Sequence, residues 1–217
     1  MFKYTSNARE NQDLFVLAIL NKKRNGTYVE VGANTPIKDS ATYLLETEFD
    51  WTGISLEWNR SYAQQHSFRK NVCLCTDATK VDYTALFEKY NLGPHIDFLQ
   101  LDIEPHPQTF AVLNKIDFTK YSFSFITYEH DFYQGGVQER LKSREILKSH
   151  GYTRVIGDVS HGGLIFEDWY INEKYMPNEV WKKFVGDNIN MNTDNLSETT
   201  INLFNEYLFK WQHQLNM

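Results

Sequence analysis

The amino-acid sequence predicts an α/β fold: a doubly wound, mostly parallel sheet with helices on both faces, ending in an antiparallel hairpin. Three observations predict it. Short runs rich in β-branched and aromatic residues alternate with helix-patterned segments from residue 27 to residue 149, as expected of βαβ units with right-handed crossovers. Past Gly151, two further β-rich runs flank Ser160-His161-Gly162-Gly163, a tetrapeptide suited to a tight turn between paired strands. No repeat, low-complexity tract or long linker divides the 217 residues. One domain is therefore expected, with 1–25 as an N-terminal helix, 26–170 as a Rossmann-like core, and 171–217 as a C-terminal loop and helix.

The elements follow in order. Leu14, Phe15, Leu17, Ala18 and Ile19 carry a helical apolar pattern, which the basic run Lys22 to Arg24 and Gly26 would close as a C-terminal cap. Strands are expected at TYVEV (27–31), TGISLE (52–57), NVCLC (71–75), IDFLQLDI (96–103) and YSFSFITYE (121–129). Helices are expected around 40–49, 60–68, 82–91, 107–115 and 137–149, the last stopped by Gly151. YTRVIGDV and LIFEDWYI form the hairpin. Ile201, Phe204, Leu208 and Trp211 recur at helical spacing behind Ser197, a suitable cap, and predict a C-terminal helix docked on the body.

Composition narrows the function. Hydrophobic residues at 41% and charged residues at 23% are those of a globular chain. A formal charge of −6 without a basic cluster disfavours a nucleic-acid partner. No run reaches the length of a membrane span and no secretory leader is visible, so a cytoplasmic location is expected. Cys73 and Cys75, two apart on one strand, are poorly placed for a disulfide and are read as reduced core residues.

The stretch GTYVEVGANTP raises the central question, because Glu30 lies in an apolar strand where an unpaired carboxylate costs several kcal/mol. In a doubly wound sheet the first βα turn faces the ligand, and Gly32 would let that turn approach closely. A dinucleotide fold would show G-x-G-x-x-G to cradle pyrophosphate; here one glycine is followed by Asn34 and Pro36. Glu57 ends the second strand where such folds keep a ribose-binding acid, and Asp77 with the Ala78 amide could read an adenine edge. A nucleoside without pyrophosphate but with a cationic amino-acid tail is S-adenosylmethionine.

The ordered series YVEVGAN, DSATYLLE, WTGISLEWN, DFLQLDIEP, FITYEHD, GY and FEDWYI resembles the FkbM family of methyltransferases over Thr27 to Tyr170. The resemblance implies a class I methyltransferase fold with a seven-stranded sheet. It further implies that Glu30, Gly32, Ala33 and Asn34 line the methionine end of the cofactor with Ser40 and Thr42 nearby, that Glu57 holds the ribose hydroxyls, and that Asp77 and Ala78 meet the adenine. Thr35 and Pro36 stand where the family commonly has a further glycine, and Asp-Ile-Glu-Pro replaces a more usual Asp-Val-Glu-Gly.

Methyl transfer to a hydroxyl needs an aligned acceptor and a base or metal. Asp102, at the carboxyl end of the fourth strand beside the cofactor, and Glu129 and His130, at the end of the fifth, are the candidate catalytic residues, with His130 the best base by type. Asp102, Glu129 and Asp131 would make an oxygen-rich site for Mg2+; sugar O-methyltransferases related by this resemblance use a metal in this region. His161 and Asp158 on the hairpin, with Glu104, are candidate acceptor contacts; His95, His106 and His150 are read as structural. The expected activity is O-methylation of a sugar hydroxyl in a glycan or glycosylated metabolite. The alternatives are methylation of another small acceptor and a non-catalytic module that binds a glycan or a partner.

Overall fold

The computed structural model describes residues 4–185. Helix α1 (Gln12–Ile19) precedes strand β1 (Thr27–Val31); α2 (Tyr43–Phe49), β2 (Thr52–Glu57), α3 (Arg60–Gln65), β3 (Val72–Cys75) and α4 (Tyr83–Lys89) follow. The second half runs β4 (His95–Leu101), α5 (His106–Leu113), β5 (Ser122–Glu129), α6 (Val137–Ser149), β6 (Tyr152–His161), β7 (Leu164–Asn172) and α7 (Asn178–Val185). The helix expected behind Ser197 lies outside the described residues.

The sheet has seven strands in the order β3-β2-β1-β4-β5-β7-β6. The first five are parallel to their neighbours, and β7 is antiparallel to both β5 and β6, so β6 points the same way as the first five. From β1 the chain winds outward through β2 and β3, then returns to place β4 and β5 on the other side. The order therefore reverses between β1 and β4, and the crevice above that switch point is where such sheets take ligands.

Strand alternation sends successive side chains to opposite faces and builds two cores. Tyr28, Phe98, Phe125 and Trp169 pack beneath α1 and α2, with Phe15 against both Phe125 and Trp169. Val29, Val31, Ile54, Leu56, Leu99 and Leu101 pack on the other face with Phe87, Val112 and Leu147 from α4, α5 and α6. Caps follow the local chemistry: Asn59 accepts from the amides of Ser61 and Tyr62, and Asp82 from that of Ala85.

Three expectations are corrected. The turn after α1 is made by Asn21 and Lys22 in the left-handed region, while Gly26 is needed because a Cβ there would meet the Trp51 ring at 2.4 Å. The basic run serves as counter-charges rather than a helix cap, since Lys23 pairs with Asp97 and Arg24 with Asp50. The cysteines lie on an edge strand, Cys75 exposed and Cys73 half-buried, not in the core.

Candidate active site

At the switch point the backbone leaves β1 under tight constraint. The amides of Gly32 and Ala33 both donate to the Leu56 carbonyl, and that of Asp102 donates to the Val31 carbonyl. Gly32 has φ +90°, and a Cβ there would fall 1.6 Å from the Asp102 carbonyl oxygen. Only glycine fits where three strand ends converge. Above this corner opens a cleft of about 500 Å³, whose walls include Gly32, Asn34, Glu57, Asp77, Ala78, Asp102 and Glu104. The ends of β1, β2, β3 and β4 thus bring together seven of the residues singled out in the sequence.

At one end of the cleft, Glu57 accepts the Asn34 amide on Oε2 at 2.8 Å and the Asn59 amide on Oε1 at 2.6 Å. Both oxygens keep a lone pair, so the carboxylate can still receive two hydroxyls. Asp77 caps the short turn after β3, and hydrogen bonds from Thr79, with Lys80 nearby, hold its pKa below the usual carboxylate range. Trp58, 73% exposed, and Tyr62 complete this end, giving a flat ring aromatic faces to stack on.

Glu30, Ser40 and Thr42 are not brought to the cleft wall. Glu30 accepts from Ser55 Oγ at 2.6 Å, and its other oxygen meets Ser40 Oγ at 3.5 Å. The buried guanidinium of Arg69 stands 4.0 Å from Glu30, 2.8 Å from Glu46 and 3.0 Å from Thr42 Oγ1. Burial opposes ionisation of Glu46, but the charge and hydrogen bonds of Arg69 outweigh it and hold its pKa below the usual value. The corrected answer to the Glu30 question is a buried counter-charge for Arg69, which arrives from the loop after α3, too far along the chain for spacing to reveal. Ala33 is likewise buried, with its amide turned to β2.

The other end of the cleft is acidic. Ligand oxygens of Glu104, Glu129 and Asp131 lie within 4.8 Å of one another. Asp102 is the neighbour of this set rather than its third member. Glu129 is 7% exposed and its Oε2 has no hydrogen-bond partner, nor has Asp131 Oδ1. Burial and then the charge of Asp102 push the pKa of Glu129 well above normal; burial and then Glu104 push that of Asp131 up to about 7. Glu167 is raised to about 8, by burial and then Asp102, although Gln12 donates to it at 2.8 Å. Gln134 Nε2 donates to Glu104 at 3.2 Å and to Asp131 at 3.4 Å, and the all-oxygen set of Glu104, Glu129 and Asp131, with two of its oxygens unpartnered, fits a hard divalent cation such as Mg2+.

A second cluster, His130, Asp158 and Asp168, differs in kind. Arg140 grips Asp158 in a bidentate pair at 2.7 and 2.6 Å, and Arg144 bridges Asp158 and Asp168. Burial disfavours the Asp168 charge, but His130 and Arg144 overcome this and hold its pKa well below normal. His130 is fully buried, its Nδ1 accepts the Phe132 amide, and its Nε2 lies 3.6 Å from Asp168. It is therefore not placed to take a proton from a molecule in the cleft, and the expectation of a histidine base is corrected. Asp158 is spent on arginines. His161 is 69% exposed and pairs with Glu10, and neither it nor Asp158 is among the residues that line the cleft.

Residues the sequence reading passed over also line the cleft: Arg9, Gln12, Asp39, Gln100, Gln108 and Phe166. For Gln100 the signal was present, because it pairs in register with Glu30 and lies one residue before the end of β4. Nothing in the sequence linked Arg9 or Phe166 to a site so distant along the chain.

No protein-family model and no curated protein matches the chain. Solved structures do. An rRNA methylase from Streptococcus thermophilus superposes with TM-score 0.50 at 11% identity, over 77% of this chain and 97% of that one. The methyltransferase domain of METTL16 gives 0.55 at 12% identity, over 76% and 67%. A SAM-dependent O-methyltransferase from Thermotoga maritima gives 0.51 at 13% identity, over 78% and 68%. With its seven-stranded mixed sheet and terminal hairpin, the chain has the class I methyltransferase fold.

Proposed function

We propose that the protein is an S-adenosylmethionine-dependent O-methyltransferase of FkbM type that methylates a sugar hydroxyl, in a glycan or a glycosylated metabolite. The observation that carries this reading is one cleft at the switch point with a nucleoside end, lined by Glu57, Asp77, Ala78 and Trp58, and an acidic end, lined by Asp102 and Glu104, with the buried Glu129 and Asp131 grouped behind Glu104. The rRNA methylase, the METTL16 methyltransferase domain and the O-methyltransferase of like fold support it as fold-level analogy.

In this reading Glu57 accepts the ribose hydroxyls, and Trp58 and Tyr62 cover the base. Gly32 lets the sulfonium pass close over the backbone beside Asp102. The acceptor oxygen attacks the methyl carbon, the carbon–sulfur bond breaks with its electron pair left on sulfur, and S-adenosylhomocysteine departs. Asp102, which lines the cleft and lies against Glu129, receives the hydroxyl proton, and the pair shares it. Glu104, Glu129 and Asp131 would hold a divalent cation, which when bound supplies acidification of a coordinated hydroxyl. The acidic cleft and the chain's charge of −6 favour a neutral polyol over a polyphosphate acceptor.

Calorimetry with S-adenosylmethionine on the wild type and Glu57→Ala, followed by mass spectrometry of a sugar panel, tests this. The expected result is saturable binding, weakened at least about tenfold in the variant, and a methylated sugar whose formation EDTA suppresses. Absence of binding by the wild type would leave the non-catalytic module in its place.

A further inference from the structure

The sulfonium form of the cofactor carries two positive groups and one negative group. The cleft has a complementary imbalance: Asp39, Glu57, Asp77, Asp102 and Glu104 line it, and among the described lining residues Arg9 is the one with a guanidinium or ammonium group.

Arg9 is not on a loose arm. The Asp13 carboxylate pins the preceding residues, accepting from Ser6 Oγ at 2.5 Å and from the Asn7 and Ala8 amides at 2.8 and 3.4 Å. On its other side, Glu10 pairs with His161 at 2.6 Å, the Glu10 amide donates to Gln12 Oε1, and Gln12 Nε2 is tied to Glu167. Ala8 is buried while Arg9 is exposed toward the cleft. The segment is thus stapled on both sides of Arg9, the cationic residue that it presents to the cleft.

Strand spacing gives the placement. With a ribose on Glu57 at the end of β2, the sulfonium lies roughly one to two strand widths of about 4.8 Å away, over Gly32 and Asp102. The amino-acid tail then extends past the β1 turn toward the loop carrying Asp39 and Ala41, beneath the stapled segment. Carboxylates along that path repel one end of the tail, and a planar guanidinium is the group suited to receive it.

We propose that Arg9 receives the α-carboxylate of the cofactor's amino-acid tail. This rests on the cofactor reading above and adds a residue from outside the Rossmann-like core to the binding site. The test is calorimetric titration of the wild type and Arg9→Met with S-adenosylmethionine and with its decarboxylated analogue. The variant should bind S-adenosylmethionine at least tenfold more weakly and the decarboxylated analogue within about twofold of wild type. An equal loss for both ligands would overturn the assignment, and so would unchanged S-adenosylmethionine affinity with a raised acceptor KM. A wild type that binds neither ligand would instead defeat the cofactor reading itself.

Discussion

The Arg69 network makes a prediction whose sign reverses with context. In the folded chain, one buried guanidinium faces two buried carboxylates, Glu46 at 2.8 Å and Glu30 at 4.0 Å. Arg69→Met keeps most of the volume but strands both acids, and breaking a buried pair in this way costs about 3–5 kcal/mol. Glu30→Gln in the wild-type background leaves the Arg69–Glu46 pair intact. It only weakens the hydrogen bond from Ser55, at a cost of about 1 kcal/mol. Once Arg69 is gone, the same Glu30→Gln removes one of two uncompensated charges and should stabilise, by an amount in the range of about 0.5–3 kcal/mol usual for coupled neighbours. Urea unfolding of the two single variants and the double variant measures the cycle. Equal effects of Glu30→Gln in both backgrounds, or a cost below about 1 kcal/mol for Arg69→Met, would refute the counter-charge role. Affinity of Glu30→Gln for S-adenosylmethionine should stay within about threefold of wild type; a tenfold loss would make Glu30 a ligand contact after all.

Gly32→Ala should fold poorly and lose cofactor binding, since its Cβ would sit 1.6 Å from the Asp102 carbonyl oxygen at a φ of +90°; a variant with wild-type Tm would contradict that geometry. Stability of EDTA-treated protein should fall as pH rises from 5 to 8.5. Burial lifts Glu167 from 4.5 to about 8 and Asp13 from 3.8 to about 6, so in that window the folded chain binds protons that the unfolded chain has released, and the slope of unfolding free energy against pH is negative. A Tm that rises across this range would show that these acids do not govern it. His161→Ala should change stability by no more than about 0.5 kcal/mol and leave acceptor KM unaltered, because the side chain is 69% exposed and meets Glu10 rather than the cleft; an elevated KM would return the hairpin to the acceptor site.

The sheet was legible because its evidence is local. Each strand announces itself in five to nine residues, each glycine turn in two or three, and the hairpin in the Ser160 to Gly163 tetrapeptide. The nucleoside end of the cleft was legible for the same reason: Glu57 and Asp77 sit at strand ends, where the fold class alone says that ligands bind. Glu30 failed because a buried carboxylate has two explanations, a ligand or a buried cation, and the cation came from Arg69, 39 positions later. His130 failed for a related reason. Its position at a strand end was right, but whether a side chain there turns into the cleft or under α6 depends on the turn geometry of Asp131, Gly135 and Gly136.

That last ambiguity has a regular physical basis, and it separates structural from chemical acids in this protein. Along β7, Glu167 and Asp168 are adjacent in sequence yet face opposite sides of the sheet. Glu167 registers with Glu129 and points toward α1, where Gln12 meets it; Asp168 registers with Tyr128 and points toward α6, where Arg144 meets it. Parity along two antiparallel strands therefore sorts the acids into two populations. Those on the α6 side find arginines, their charges are matched, and Asp168 stays ionised. Those on the α1 side, Glu129 and Glu167, are buried near Asp102, and burial first and that charge second raise their proton affinities. A buried carboxylate beside another carboxylate gains from a cation that a ligand brings to it, whereas one already matched to a guanidinium gains little. The acidic end of the cleft is on these grounds the part of the molecule with free energy to release on binding, and the arginine-rich cluster behind it is the frame that holds β5, β6 and β7 in place while it does so.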